Sequence, residues 1–123
     1  MIESADEFVR LRSSTVPVEY TRAAEESADM ATWLEVIERF PDMREWVAHN
    51  KSVPHAILAI LATDPAPEVR QVVAGKRKLL PETMMILVND PDENVRASLA
   101  GNAKLTPAAR AALAADPNAW VRT

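Results

Sequence analysis

The sequence predicts an all-α fold made of stacked pairs of short helices, and three observations carry that expectation. The first is a repeat: "DPAPEVRQVVAGKRKLLP" at residues 64–81 returns 26 residues later as "DPDENVRASLAGNAKLTP" at residues 90–107. The same period links Met43-Arg44, Val69-Arg70, Val95-Arg96 and Val121-Arg122, and it links Asp64, Asp90 and Asp116, each followed by Pro. Ala48, Ala74 and Ala100 form a third column, and Leu61, Leu87 and Leu113 a fourth. A fixed period of this length marks stacked supersecondary units, none of which buries its apolar face alone. The second observation is nine Pro against only two Gly, Gly75 and Gly101, which suits helices started by Pro rather than a sheet of tight Gly turns. The third is helical spacing: Met30, Trp33, Leu34, Ile37 and Phe40 fall on one face at i, i+3, i+4, i+7 and i+10.

Residues 1–40 stand ahead of the repeats and read as an N-terminal cap of about three helices. "SADEFVRLRSS" has Ser4 and Glu7 in capping-box register, "PVEYTRAAEES" starts on Pro17, and "ADMATWLEVIERF" is the third helix, with Trp33 expected against the first repeat. Repeats then occupy 41–66, 67–92 and 93–118, with a partial unit at 119–123, in one compact domain. Trp120 in that last segment is expected to cover the end of the stack, unless the chain is a piece of a longer array.

Within each unit, Asp64 is placed to cap and Pro65 to sit in the first turn, where its missing N–H costs nothing. Glu93, three after Asp90, gives a capping-box spacing. Val69, Val72 and Val73 form an apolar stripe, and Gly75 and Gly101 are expected to end the first helical piece in a left-handed conformation. A polar connector leads to Pro54, Pro81 or Pro107, which opens the second piece, with Ile60, Leu61, Ile86 and Leu87 expected to face inward. A 26-residue period leaves little room for two full helices, so one piece is expected to be very short or 3₁₀-like.

Composition narrows the chemistry. Cysteine is absent, which excludes disulfides, thiolate metal sites and cysteine nucleophiles. The acidic start "MIESADEFVR" has no signal-peptide pattern and no apolar run reaches membrane-spanning length, so a cytoplasmic protein that does not enter the membrane is expected. Net charge is −4, divided unevenly: nine acids against four bases in residues 1–40, and two against four in 93–123. The two ends are therefore expected to differ in sign.

The pattern D-P-x-x-x-V-R-x-x-(V/L)-A-G-x-x-x-L-x-P, together with "FPDMREWVAHNKSVP" at residues 40–54, resembles the leucine-rich repeat variant class of bacterial α-solenoids, which are HEAT-like in shape. The resemblance covers about residues 41–123. It implies a right-handed α-solenoid of about three such repeats, with alternating α and 3₁₀ helices. It implies a binding platform rather than a particular activity. The cysteine-rich iron–sulfur region of some members has no counterpart in this chain.

Two groups of residues invite a functional reading. "GKRKL" sets Lys76, Arg77 and Lys78 in a row, and the period places Asn50, Lys51 and Ser52 on one flank and Asn102, Ala103 and Lys104 on the other. Such a ridge of connectors suits phosphate or an acidic protein surface, although solvated lysine loops are the commoner reading. The column Arg44, Arg70, Arg96 and Arg122 suits a nucleic-acid backbone in principle. A ladder joining each Arg to a carbonyl or to the Asp64, Asp90 and Asp116 column explains better why it runs through every unit.

His49 and His55 have no carboxylate or nucleophile constellation, so neither a catalytic residue nor a metal or other cofactor is expected. The acids Glu25, Glu26, Asp29, Glu35 and Glu38 alternate with apolar positions, as a solvated face does, and Trp33, Trp46 and Trp120 are expected in the core or at the end of the stack. These readings predict a non-enzymatic, monomeric module that binds another protein, an adaptor or an immunity-type protein that neutralises a toxin. The alternative is a nucleic-acid-binding solenoid using Lys76, Arg77, Lys78, Lys104 and Arg110.

Overall fold

The Ser4 hydroxyl accepts the Glu7 N–H at 3.0 Å and starts the first helix, α1, Ala5–Ser13. The Glu7 carboxylate turns back to the Glu3 N–H rather than to Ser4, so the box closes one residue earlier than its spacing predicts. The structure, a computed structural model, describes residues 1–122. The chain is all-helical: among the described residues there are α-helices, one 3₁₀ turn and a lone bridge between Ile2 and Ala28, with no strand. No described helix is long and apolar enough to cross a membrane. Two compact units are present, Met1–Ile57 and Leu58–Thr123.

In the first unit α1 packs against α2 (Pro17–Glu25) and α3 (Met30–Arg39). A 3₁₀ turn, Pro41–Met43, then leads into α4, Arg44–His49, which also packs on α3. Ile2, Phe8, Leu11, Trp33, Val36 and Val47 are fully buried. Trp33 meets Phe8 edge to face, with ring centroids 5.4 Å apart and planes at 76°, the geometry the ring quadrupoles favour. Met30 and Leu34 depart from the expected stripe and lie exposed, at 41% and 43%. The inward face of α3 is centred on Trp33 and Val36, because the large indole sets which side of the helix meets α1.

The boundary between units falls inside α5, His55–Leu61. The second unit continues with α6 (Pro67–Ala74), α7 (Pro81–Leu87), α8 (Glu93–Ala100), α9 (Pro107–Ala114) and α10 (Ala119–Arg122). Here α6 packs on α8 and α8 on α10, while α7 packs on α9, so the helices form two rows. Val69, Val73, Met84, Leu87, Val95, Leu99 and Leu113 fill the space between them.

Four local expectations are corrected in the second unit. Both helices of the period are α-helical, seven or eight residues each in α6 to α9, and neither is 3₁₀. The room comes from compact ends. Gly75 and Gly101 are right-handed, at φ −85° and −82°, because N–H to i−3 carbonyl bonds such as Gly75 to Val72 tighten the last turn without a left-handed residue. The Asp-Pro pairs do not cap. Asp64, Asp90 and Asp116 accept the N–H two residues on, at 2.9–3.0 Å, forming a turn ahead of the helix. The cap of α8 is instead Asp92, which accepts the Asn94 N–H, so Glu93 occupies the first helical position and makes no capping box.

Candidate functional site

Arg70 and Arg96 share a set of bonds one period apart, to which Arg70 adds the Pro65 carbonyl at 3.1 Å. Arg70 Nε donates to Asp90 Oδ2 at 2.8 Å and Arg96 Nε to Asp116 Oδ2 at 2.7 Å. Their Nη1 atoms reach back to the Asp64 and Asp90 carbonyls, each at 2.7 Å. Arg122 does the same to the Asp116 carbonyl at 2.6 Å, and Arg44 Nε donates to the Ile37 carbonyl at 2.8 Å. The side chains of Asp90 and Asp116 are only 4% exposed. The Asn118 N–H, then the Arg96 guanidinium, hold the Asp116 carboxyl below its ordinary range, and the Asp90 carboxylate raises Arg70 above its own. The Arg70 and Arg96 guanidinium groups are turned into the fold, where they tie neighbouring helices together, while Arg122 stays exposed.

The connector residues divide into two kinds. Asn50 and Asn102 are buried, and both use the amide as a clamp. Asn50 Nδ2 donates to the Ala23 and Glu26 carbonyls at 2.8 and 2.9 Å, and its Oδ1 accepts the Ser52 N–H. Asn102 Nδ2 donates to the Ala74 and Lys76 carbonyls at 2.8 and 2.9 Å, and its Oδ1 accepts the Lys104 N–H. Neither amide is presented to a partner. Lys76 stands in the same register between them and is half-buried, and burial, with the neighbouring Lys78 charge, lowers its amine to about 8. Burial also lowers Lys78. Lys51 pairs with Glu25 at 3.3 Å. Arg77, Lys104 and Arg110 are exposed, but Arg110 takes the register of the buried Met84 and so lies on a different side of its helix.

Helix faces supply what the sequence reading missed. Ile60 and Ile86, expected inside, are 45% and 48% exposed, whereas Leu61 and Leu87 beside them are fully buried. The signal was available: the 61/87/113 column keeps leucine in every unit, while 60/86/112 passes from isoleucine to alanine, a loss of volume that a packed column would not absorb. Leu80 and Met85 add further exposed apolar surface around α7, at 41% and 40%.

On the other row, an open groove of about 320 Å³ is lined by Gln71, Asn94, Ala97, Ser98 and Trp120. Trp120 is 59% exposed and does not act as a core residue. His49 and His55 are both exposed, and among the described residues no cluster of His, Asp and Glu is placed to hold a metal ion. No protein-family profile, no curated protein and no solved structure matches the chain.

Proposed function

We propose that the chain is an α-solenoid in which about three 26-residue units stack behind an N-terminal helical cap, and that it works without catalysis, by binding another protein as an adaptor or a neutralising partner. The observation that carries this reading is the contrast between invariant and varying positions. The period-keeping Arg70, Arg96, Asp90 and Asp116 side chains are turned inward to helix–helix bonds, while Met85 and Ile86, which give way to Ala111 and Ala112 one period later, stand exposed and apolar. Large apolar side chains held in water on a rigid helix pair are the raw material of a protein interface.

The nucleic-acid reading draws on fewer groups than the sequence suggested. Its strip loses both asparagines to structural clamps, its Lys76 is half-buried and its exposed Lys51 is paired with Glu25, which leaves Arg77, Lys104 and Arg110 to carry it. Affinity capture with the full chain, with and without nuclease treatment, separates the two. A stoichiometric protein partner that survives nuclease is the expected result. Captured material that disappears with nuclease, together with retention on DNA that falls steeply with salt, overturns it.

A further inference from the structure

We infer that the outward face of α7 and α9 docks an acidic amphipathic helix of a partner protein, an inference that rests on the protein-binding reading above. On α7, Met85 and Ile86 point outward, and on α9 the matching positions one period later are Ala111 and Ala112, also exposed. Ala108 extends that second surface by a turn. Because α7 packs beside α9, a ridge of two bulky side chains runs next to a shelf that carries nothing beyond a methyl group. A partner helix lying on the shelf comes close to the α9 backbone, and its apolar stripe packs sideways on Met85 and Ile86. The unbranched Met85 adapts to whatever shape arrives.

Charge selects the kind of helix. The connectors that lead into α7 and α9 carry Arg77, Lys78 and Lys104, all at the N-terminal ends of these two helices. At their C-terminal ends the carboxylates of Asp90 and Asp116 are held by Arg70 and Arg96 and offer no balancing field. Glu82, three and four residues before Met85 and Ile86, stands exposed on the same face of α7, and the exposed Arg77 and Lys104 outnumber it. An apolar stripe flanked by Asp or Glu therefore meets a complementary edge, and a basic helix meets repulsion. A nucleic-acid strand would pair with the same cations but would leave Met85 and Ile86 in water, so a protein segment fits the whole surface better.

The test uses the full chain and a synthetic helical peptide with a leucine stripe and glutamates elsewhere, alongside a counterpart with lysines in place of the glutamates. Fluorescence anisotropy is expected to show the acidic peptide binding about tenfold more tightly than the basic one at low salt, with the gap narrowing as salt rises. Met85→Glu and Ile86→Glu should each weaken it by about tenfold, and Ile86→Ala by less. Arg77→Glu should weaken binding and flatten its salt dependence, while Trp120→Ala, on the other helix row, should change nothing. Thermal melts of each variant show whether the fold is retained.

Equal or tighter binding of the lysine peptide overturns the inference, and so does indifference to Ile86→Glu in a folded variant. Sedimentation supplies a further check: a chain that dimerises, and becomes monomeric on Ile86→Glu, has this face covered by a second copy, which also overturns it. A native partner captured equally by the wild-type chain and Ile86→Glu removes this face but leaves the protein-binding reading standing. Capture that depends on nucleic acid removes the reading itself.

Discussion

The Arg70 guanidinium holds the Asp90 carboxylate edge-on, Nε to Oδ2 at 2.8 Å and Nη2 to Oδ1 at 3.2 Å, while its Nη1 takes the Asp64 carbonyl at 2.7 Å. One side chain thus joins the turns ahead of α6 and α8, and both partners are largely out of water, at 12% and 4% exposure. Removing the arginine leaves Asp90 buried without its counter-charge. Arg70→Ala should lower unfolding free energy by about 2–3 kcal/mol in urea denaturation. Arg70→Lys should recover little of this loss, because a point-charge ammonium cannot reproduce the forked geometry. A loss below about 0.5 kcal/mol would show that the pair is no more than a surface contact.

The Asp116 carboxyl sits below its ordinary value of 3.8, chiefly because it accepts the Asn118 N–H, with Arg96 adding to the effect. A carboxyl whose folded value is depressed contributes stability that is present above its unfolded value and is lost as pH falls through the folded one. The stability difference between wild type and Asp116→Asn should therefore be largest near neutral pH and shrink on acidification below about pH 4. Denaturation curves measured across that range check it. A difference independent of pH would mean that the side chain acts through shape alone.

Lys76 works in the opposite direction. Burial lowers its amine from an ordinary 10.5 to about 8, so between these values the unfolded chain holds the proton that the folded chain has released. Stability therefore rises with pH through that window, and below about 8 the cost of the half-buried charge is fully present. Relative to Lys76→Met, the wild type should be least favoured near neutral pH and should gain on the variant as pH climbs through the window. Isotope-labelled lysine NMR should place the Lys76 amine titration at about 8 and that of Lys78 below its ordinary value.

How far the sequence could be read depended on what each residue had to satisfy. The Arg and Asp columns were legible as a pair because Arg70–Asp90 and Arg96–Asp116 repeat one bond one period apart, and a repeated bond leaves a repeated letter. Asn50 and Asn102 were visible in the same register but misread as surface, since nothing in a single asparagine says whether its amide meets solvent or two carbonyls. Gly75 and Gly101 suggested a left-handed ending, yet i−3 bonds close each helix in the right-handed region. Ile86 was misplaced because adjacent isoleucine and leucine both look like core, and only comparison between copies distinguishes them.

That distinction between neighbours gives a direct stability test. Leu87 is fully buried in the second unit, and Ile86, one residue earlier on the same helix, is nearly half exposed. Truncating a buried leucine removes its transfer energy and leaves a cavity, so Leu87→Ala should cost about 2–5 kcal/mol. Ile86→Ala replaces an exposed β-branched residue with the best helix former, so its effect should stay within about 0.5 kcal/mol, with either sign. Chemical denaturation of the two variants side by side checks the register of α7, since a rotation of that helix by one residue would exchange the two outcomes.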